Sequence, residues 1–209
     1  MQVNNQVKTV TLAITGASGA QYGLRLLQCL IQADCKVYLL ISDAARIVIN
    51  TETDYTLPES FEEQSQFFQQ FTGAKDAQLT LFAEKDWFAP VASGSSSPSS
   101  MVICPASGGT ISAIATGASN NLIERAADVA LKERRQLIVV PRETPYSQLH
   151  LENMLKLAQL GAMIMPASPG FYQTPKTIED LVDFVVARIL DQLEVKQDIL
   201  PRWGECAGN

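Results

Sequence analysis

The sequence predicts an α/β fold in three layers: a doubly wound, mainly parallel β-sheet with helices on both faces. Short, almost purely apolar runs alternate with amphipathic helical patterns, which is typical of strands buried on both faces of a parallel sheet. Apolar residues make up 46% of the 209 residues and charged residues 18%, enough for a large core. The length fits one domain, so we expect residues 1–209 to form a single unit, with 195–209 as a tail or lid over the site.

The β-α rhythm begins regularly. Val7 to Thr15 predicts a strand, a glycine-rich turn follows, and Ala20 to Ala33 predicts a helix. Lys36–Ile41 predicts a second strand and Asp43–Asn50 a second helix. Later strands are expected at Met101–Cys104, Gln136–Val140 and Ala162–Met165, and later helices at Asn121–Arg135 and Thr177–Leu193. We expect five or six strands in all.

Residues 53–100 break this rhythm. They contain a phenylalanine cluster and then a serine-rich stretch, 92–100, and they sustain no single period. A serine-rich stretch is usually a solvated linker. Because this one leads directly into a core strand, we favour a ligand-facing loop, whose short side chains let the backbone approach an anion or a ring.

Charge and composition exclude several classes of function. The chain has 16 basic and 22 acidic residues, a net charge of −6, so we expect no nucleic-acid-binding surface, and any anion must meet a local cluster of cations. No apolar run approaches membrane-spanning length and the start is polar, so we expect a cytoplasmic protein without membrane insertion. The cysteines form no C-x-x-C pair and lie far from the one histidine, His150, which predicts reduced thiols and no metal site.

In parallel sheets, ligands bind beyond the carboxyl ends of the strands. Five segments are expected there: Thr15–Gly19, Ser42, Cys104–Thr110, Pro141–Pro145 and Pro169–Tyr172. The first and third are small-residue turns before helices, where glycines and free N–H groups can hold a phosphate. Either alone is as consistent with a plain turn, but two in one sheet indicate a phosphate-bearing cofactor. The tyrosine of the last segment either donates to a phosphate or caps the core.

Charged and aromatic side chains near these ends leave alternatives open. Arg142 and Glu143 form either a surface ion pair or ligand contacts. Glu52 is expected in a loop or element end, where carboxylates are usually exposed to solvent. Trp87 and Trp203 either anchor loops or form an aromatic wall beside a cation.

Two helices carry cations in unusual places. The helix over 177–193 places Arg188 on its buried face, together with Leu181, Phe184, Val185 and Ile189. A buried arginine must be paired, so we expect a ligand phosphate or one of three acidic partners: Glu179, Asp180 or Asp183. On the helix over 121–135, Arg125 and Lys132 share a stripe, for which a solvated charged face is the simpler interpretation.

Taken together, these segments closely resemble the flavin prenyltransferase (UbiX) family over nearly the whole chain. The matching segments are 15–23, 52–54, 92–96, 102–105, 124–135, 141–145, 170–172 and 200–204. The most specific is Glu124–Arg135 followed by Arg142-Glu143, whereas the glycine loop alone is shared with many flavoproteins. The resemblance implies a flavodoxin-like Rossmann fold that assembles into a homo-dodecamer and binds FMN between subunits.

The resemblance also implies a reaction. Family members transfer a dimethylallyl group from dimethylallyl monophosphate to N5 and C6 of reduced FMN, release phosphate and need no metal. Their product, prenylated FMN, is the cofactor of UbiD-type decarboxylases, in ubiquinone biosynthesis among other routes.

Carried over to this chain, the resemblance assigns roles. FMN would be held by Gly16, Ala17, Ser18, Ser42, Ser107, Gly108, Gly109, Thr110 and Arg142. The prenyl phosphate would be held by Tyr172 and Arg188, and by Arg125 and Lys132 of a neighbouring subunit. Trp87 and Trp203 would shape the prenyl pocket. Glu52 would act as acid and base, and Ser18 and Glu143 complete the catalytic set.

Physical chemistry is consistent with this transfer. Ionising an allylic phosphate requires charge stabilisation on the leaving group. No aspartate-rich magnesium motif is present, so Arg188, Arg142, Lys132 and Tyr172 would have to supply it. Ala106 stands where many family members have a cysteine, which puts in doubt only a role for that thiol.

Two alternatives remain at the level of sequence. An FMN-dependent cysteine decarboxylase of the same fold relies on a histidine in the first half of the chain, where this sequence has none. A non-catalytic flavin-binding protein would explain the glycine loops but would leave the placement of Arg188 without a purpose.

Overall fold

The structure, a computed structural model, describes residues 7–200. Its six strands form one sheet in the order β3-β2-β1-β4-β5-β6, and every neighbouring pair is parallel. The strands are β1 (Thr9–Ile14), β2 (Lys36–Ile41), β3 (Leu79–Phe82), β4 (Ser100–Ala106), β5 (Gln136–Pro141) and β6 (Met163–Ile164). The helices are α1 (Ala20–Gln32), α2 (Asp43–Glu52), α3 (Phe61–Thr72), α4 (Gly108–Thr116), α5 (Leu122–Lys132), α6 (Gln148–Gln159) and α7 (Ile178–Gln192).

The strand order reverses between β1 and β4. Strands β1 to β3 build toward one edge of the sheet and β4 to β6 toward the other, which confirms the predicted doubly wound arrangement. Without the edge strand β3, the remaining order is that of flavodoxin. The carboxyl ends of β1 and β4 flank the reversal point, the place where such sheets bind ligands.

A hydrophobic core lies on each face of the sheet. Along β1, Leu12 and Ile14 belong to the core that packs against α1, α2, α3 and α7. Ala13, between them, belongs to the core beneath α4, α5 and α6. Successive strand residues point to opposite faces, so the nearly unbroken apolar strands predicted from the sequence follow from burial on both faces.

Two elements lie in the region where the sequence predicts a break. Helix α3 directly follows α2, and only a short 3₁₀ turn (Pro90–Ala92) separates strand β3 from β4, so the regular alternation is interrupted there as predicted, although two regular elements are present. Strand β3 has four residues at the edge of the sheet, and α3 fully buries only Gln64 and Phe68. Neither element has a long enough buried face to impose a clear period.

The three described cysteines, Cys29, Cys35 and Cys104, are free and buried, as expected, and burial raises the pKa of each thiol. Cys206 lies outside the described residues. Between residues 7 and 200, no helix is both long and apolar enough to cross a membrane. The same residues bring together no group of three or more histidine, cysteine or acidic side chains suited to a metal ion.

Candidate functional site

Thr15 ties together the loops that follow β1 and β4. Its buried hydroxyl donates to the Pro105 carbonyl (2.8 Å) and accepts from the Ser107 N–H (2.8 Å). Ser107 in turn caps α4, because its Oγ accepts from the Thr110 N–H at 3.3 Å. The sequence places Thr15 in the ligand-side segment Thr15–Gly19 but assigns it no role of its own. The available signal was a polar residue ending an apolar strand, which must find a partner when buried.

The loop after β2 closes on the same point. The Ser42 N–H donates to the Ile14 carbonyl (3.1 Å), and the Ser42 Oγ caps α2 by accepting from the Ala45 N–H (3.1 Å). Gly16 lies against α2, where a Cβ would stand 2.4 Å from the Ala44 Cβ, so only glycine permits this approach. The loops after β1, β2 and β4 therefore form one continuous surface at the reversal point, which we call the floor (residues 15–19, 42 and 107–110).

Glu52, the last residue of α2, binds the start of α1. Its Oε2 accepts from the N–H groups of Gly19 (2.7 Å) and Ala20 (3.3 Å), and the Ser18 hydroxyl also bonds to this carboxylate. Burial raises the pKa of Glu52, but these hydrogen bonds and the nearby Arg142 outweigh burial, and the net pKa is lowered. Glu52 is thus an ionised, fixed carboxylate within the site, whereas the sequence predicted an exposed one.

The same contacts correct the role expected of the glycine loop. We predicted that the first turn of α1 offers free N–H groups to a phosphate, but Glu52 takes those of Gly19 and Ala20. In the first turn of α4 the space beside Gly109 is open, because nothing lies within 4 Å of the position that a Cβ would take there, whereas the His150 ring lies against Gly108. The open, positively polarised helix end of the floor is therefore that of α4.

Arg142 reaches from the end of β5 to the floor. Its Nε donates to the Ser18 carbonyl at 2.9 Å. The Glu143 carboxylate accepts from its neighbour, the Thr144 N–H, at 3.1 Å. The interpretation of Arg142 and Glu143 as a surface ion pair was therefore wrong, and Arg142 belongs to the floor.

Tyr172 packs against helix α7. Its ring packs edge-on against Phe184, with 5.4 Å between the ring centroids. Gly170 permits this contact, because a Cβ there would stand 2.9 Å from Cζ of Phe184. Arg188 follows Phe184 by about one helical turn on α7.

The predicted burial of Arg188 was wrong. Its side chain is 49% exposed and pairs with Asp191 at 2.8 Å, which is none of the partners predicted. The buried face of α7 lies slightly further round the helix and consists of Val182, Val185, Val186, Ala187, Ile189 and Leu190. Of the predicted partners, Asp183 is bound by Arg25 at 2.6 Å and Asp180 caps the start of α7.

Arg125, Lys132 and Trp87 lie on a second surface, which we call the α5 face (α5 with residues 84–98 and 133–135). Arg125 pairs with Asp128 at 3.0 Å, and Lys132 with Glu133 at 2.9 Å. Lys132 is exposed, as the solvated charged face predicts, whereas Arg125 is partly buried and its Nε donates to the Ala92 carbonyl at 3.1 Å. Trp87 is 46% exposed. Trp203 lies outside the described residues.

The serine-rich stretch is fastened to the α5 face. Arg135 donates to the Ser97 hydroxyl (2.6 Å), to the Pro98 carbonyl (3.0 Å) and to the Gly94 carbonyl. These residues directly precede β4 and β5, so they lie at the amino ends of the strands, as does Lys132. The stretch is neither a free linker nor part of the floor of its own subunit.

The doubly wound fold and the floor at its reversal point are typical of a nucleotide-binding protein. Residues 1–190 match the Flavoprotein family, so the chain is a flavoprotein. The relationship is closer still to one group within it. Over 196 residues, 94% of each chain, the sequence is 63% identical to a Pseudomonas aeruginosa protein named Flavin prenyltransferase UbiX. The chain therefore belongs to the flavin prenyltransferase (UbiX) family, as the sequence motifs predicted, and is an enzyme of the prenyltransferase class.

Solved structures agree with this assignment. AnUbiX (PadA1), crystallised with FMN and dimethylallyl pyrophosphate, superposes with a TM-score of 0.83 at 36% identity, covering 95% of this chain and 98% of that one. A dodecameric FMN-dependent UbiX-like decarboxylase from Escherichia coli O157:H7 superposes with a TM-score of 0.81 at 36% identity, covering 93% and 98%. The expected flavodoxin-like Rossmann fold is thereby confirmed.

Proposed function

We propose that this chain transfers a dimethylallyl group from dimethylallyl monophosphate to N5 and C6 of reduced FMN, without a metal ion and with release of phosphate. The observation that carries the proposal is the network at the reversal point. There Glu52, Ser18 and Arg142 place an ionised carboxylate and a guanidinium beside an open surface of small residues. Membership of the flavin prenyltransferase family supports the same reaction.

The floor fits FMN. Gly16 allows the backbone a close approach, Gly109 leaves open space, and Ser42 and Ser107 place hydroxyls at helix starts. Such helix starts suit a phosphate, and small residues suit a flat ring. We assign FMN to the floor residues and Arg142: Gly16, Ala17, Ser18, Ser42, Ser107, Gly108, Gly109, Thr110 and Arg142. Reduced FMN, when bound, supplies the two nucleophilic ring positions.

The leaving phosphate needs positive charge. Arg188 on α7 and Tyr172, which packs against α7, are both exposed, and Arg142 reaches the floor beside Ser18. A monophosphate carries less charge than a diphosphate, so these side chains with Arg125 and Lys132 can stabilise it without a metal. Glu143 lies next to Arg142 and completes this group, and Trp87 and Trp203 shape the space for the apolar tail and its developing cation.

The position of Lys132 supports an oligomeric site. Lys132 lies near the amino end of β5, whereas the floor lies at the carboxyl ends of the strands. The floor of the same subunit therefore lies at the opposite ends of the strands. We infer that the α5 face instead contributes to the floor of a neighbouring subunit. A homo-dodecamer, the assembly of the E. coli relative, is the arrangement we propose.

Glu52 acts on the proton at C6. In the proposed reaction Glu52 would take the proton lost from N5, return it to the prenyl double bond on ring closure and then take the proton lost from C6, which finally leaves with the phosphate. The hydrogen bonds from Ser18, Gly19 and Ala20 keep the carboxylate charged and fix its position. The prenylated flavin then leaves for a UbiD-type decarboxylase, which uses it as cofactor.

Anaerobic incubation with reduced FMN and dimethylallyl monophosphate tests this proposal. We expect the extracted flavin to gain the mass of one C5H8 unit, because the dimethylallyl group replaces a hydrogen, and phosphate to appear in equal amount, also in the presence of a metal chelator. The diphosphate donor, assayed in parallel, measures the preference for the monophosphate. Unmodified flavin with both donors would contradict the proposal, and release of CO₂ from a cysteine-terminated peptide would indicate the decarboxylase instead.

A further inference from the structure

His150, the single histidine of the chain, lies at the start of α6. Its Nδ1 accepts from the Ser147 N–H at 3.3 Å, while the Ser147 Oγ accepts from the His150 N–H at 3.2 Å. This is a capping box, in which the imidazole replaces the usual glutamate or glutamine. Because only an unprotonated Nδ1 can accept, the neutral ring carries its proton on Nε2.

The other edge of the ring faces the floor. A Cβ at Gly108 would stand 2.8 Å from His150 Nε2 and 3.3 Å from Cδ2. The ring has little freedom to move away, because Nδ1 is bound to Ser147 and Tyr146 packs edge-on at 6.3 Å. Gly108 is the first residue of α4, directly after its cap, Ser107. The imidazole thus joins the start of α6 to the first turn of α4.

We propose that His150 is a positioning residue for the flavin. Its ring sets the spacing between the first turn of α4, which lines the floor, and the connection from β5 to α6, which carries Arg142. This role rests on the proposed function, since it concerns the residues assigned to FMN. Small displacements of such groups cost affinity, so the contact with Gly108 serves binding as well as packing.

Two substitutions of His150 each remove one of its two contacts, the one with Gly108 or the one with Ser147. His150→Gln keeps the capping box, because glutamine is a usual residue at this helix position, but it removes the ring from Gly108. His150→Phe keeps a ring against Gly108 but removes the acceptor for the Ser147 N–H. For His150→Gln we expect unchanged stability and a Kd for FMN raised roughly tenfold. For His150→Phe we expect lower stability and a Kd close to that of the wild type.

The Kd is measured by quenching of flavin fluorescence on titration of the apoprotein, and stability by urea unfolding of the same preparations. A double-mutant cycle tests the contact itself without any flavin. Gly108→Ala should destabilise the wild-type chain, because the new Cβ meets a fixed ring, and it should cost little in the His150→Gln background. Gly109→Ala is the stability control, since its Cβ meets nothing within 4 Å.

The outcomes are distinguishable. Wild-type affinity for FMN in His150→Gln overturns the positioning role, and so do additive effects in the Gly108 cycle. If His150→Gln does not fold, the FMN affinity of His150→Phe decides, because a tenfold loss there contradicts positioning by the ring. Failure of the wild-type protein to bind FMN overturns the proposed function, and the positioning role with it.

Discussion

The floor and the α5 face both carry arginine or lysine, but they hold these cations in different ways. On the floor, Arg142 donates to the carbonyl of Ser18, and Glu52 accepts from backbone N–H groups of α1. These contacts join segments far apart in the sequence. On the α5 face, Lys132 pairs with its neighbour Glu133, and Arg125 pairs with Asp128 one turn along α5 while its Nε also donates to the Ala92 carbonyl.

The two surfaces differ in the protein contacts that a bound phosphate would have to replace. Exposed pairs between neighbours in sequence are worth about 0–1 kcal/mol, so a phosphate can replace the carboxylate at little cost. Hydrogen bonds between distant segments fix the geometry of the floor before any ligand arrives. We therefore expect substitutions on the floor to change catalysis and flavin binding, and those on the α5 face to change the handling of the donor phosphate.

The largest effect is expected at Glu52. Glu52→Gln keeps the size of the side chain but removes the charge that we propose to accept the proton, so we expect kcat for prenylation to fall by about 10²-fold or more. The rate is measured as phosphate release and as prenylated flavin formed. Glu62→Gln, which neutralises an exposed carboxylate on α3, is the control. Full activity in Glu52→Gln would remove this residue from the mechanism.

The second prediction tests whether the floor and the α5 face of one site come from two different subunits. Lys132→Ala and Arg142→Ala should each abolish most activity when assembled alone. If the α5 face serves a neighbouring floor, co-assembly of the two variants at equal amounts restores intact sites at about a quarter of the wild-type number. The measurement is activity after unfolding and refolding the mixture together. No recovery, in oligomers shown to be mixed, would place both residues in the site of one subunit.

A smaller effect is expected where the serine-rich stretch is fastened. Arg135→Gln removes donors to Gly94, Ser97 and Pro98, and we expect it to lower the free energy of unfolding by about 1–3 kcal/mol. Arg134→Gln is the matched control, because the adjacent side chain is exposed. Urea unfolding measures the difference, and equal stability of the two variants would mean that the arginine does not hold the stretch.

The smallest effect in this series is at Arg188. Because its side chain is half exposed and, within the described residues, pairs with Asp191 nearby on α7, Arg188→Gln should change the free energy of unfolding by less than about 0.5 kcal/mol. Disrupting a buried pair would cost about 3–5 kcal/mol. If Arg188→Gln lowers the free energy of unfolding by that amount, Arg188 is buried as the sequence predicts and not exposed as in the structure. The same variant should raise the KM for the prenyl phosphate.

Sequence periodicity was sufficient for the centre of the sheet. Strands β1, β2, β4 and β5 are buried, so their composition is distinctive, while β3 and α3 at one edge are only partly covered and were missed. The floor was predictable because the carboxyl ends of all strands in a parallel sheet lie on the same side of the molecule. The partners of Glu52 were not, because a carboxylate bound to amides 33 residues away leaves no local pattern. Arg188 was wrongly predicted to be buried because it lies next to the buried face of α7. The spacing of apolar residues on a helix does not locate the limit of the buried face to within one residue.

The carboxylate seated at the start of α1 has a consequence for cofactor choice. In sheets with this strand order, NAD and FAD place their pyrophosphate on the amides that follow the first strand. Here Glu52 already occupies two of those amides, and its negative charge repels a second anion. We therefore expect this chain to reject dinucleotides, so that a mononucleotide flavin is selected before any contact with the adenine half of a larger cofactor is made.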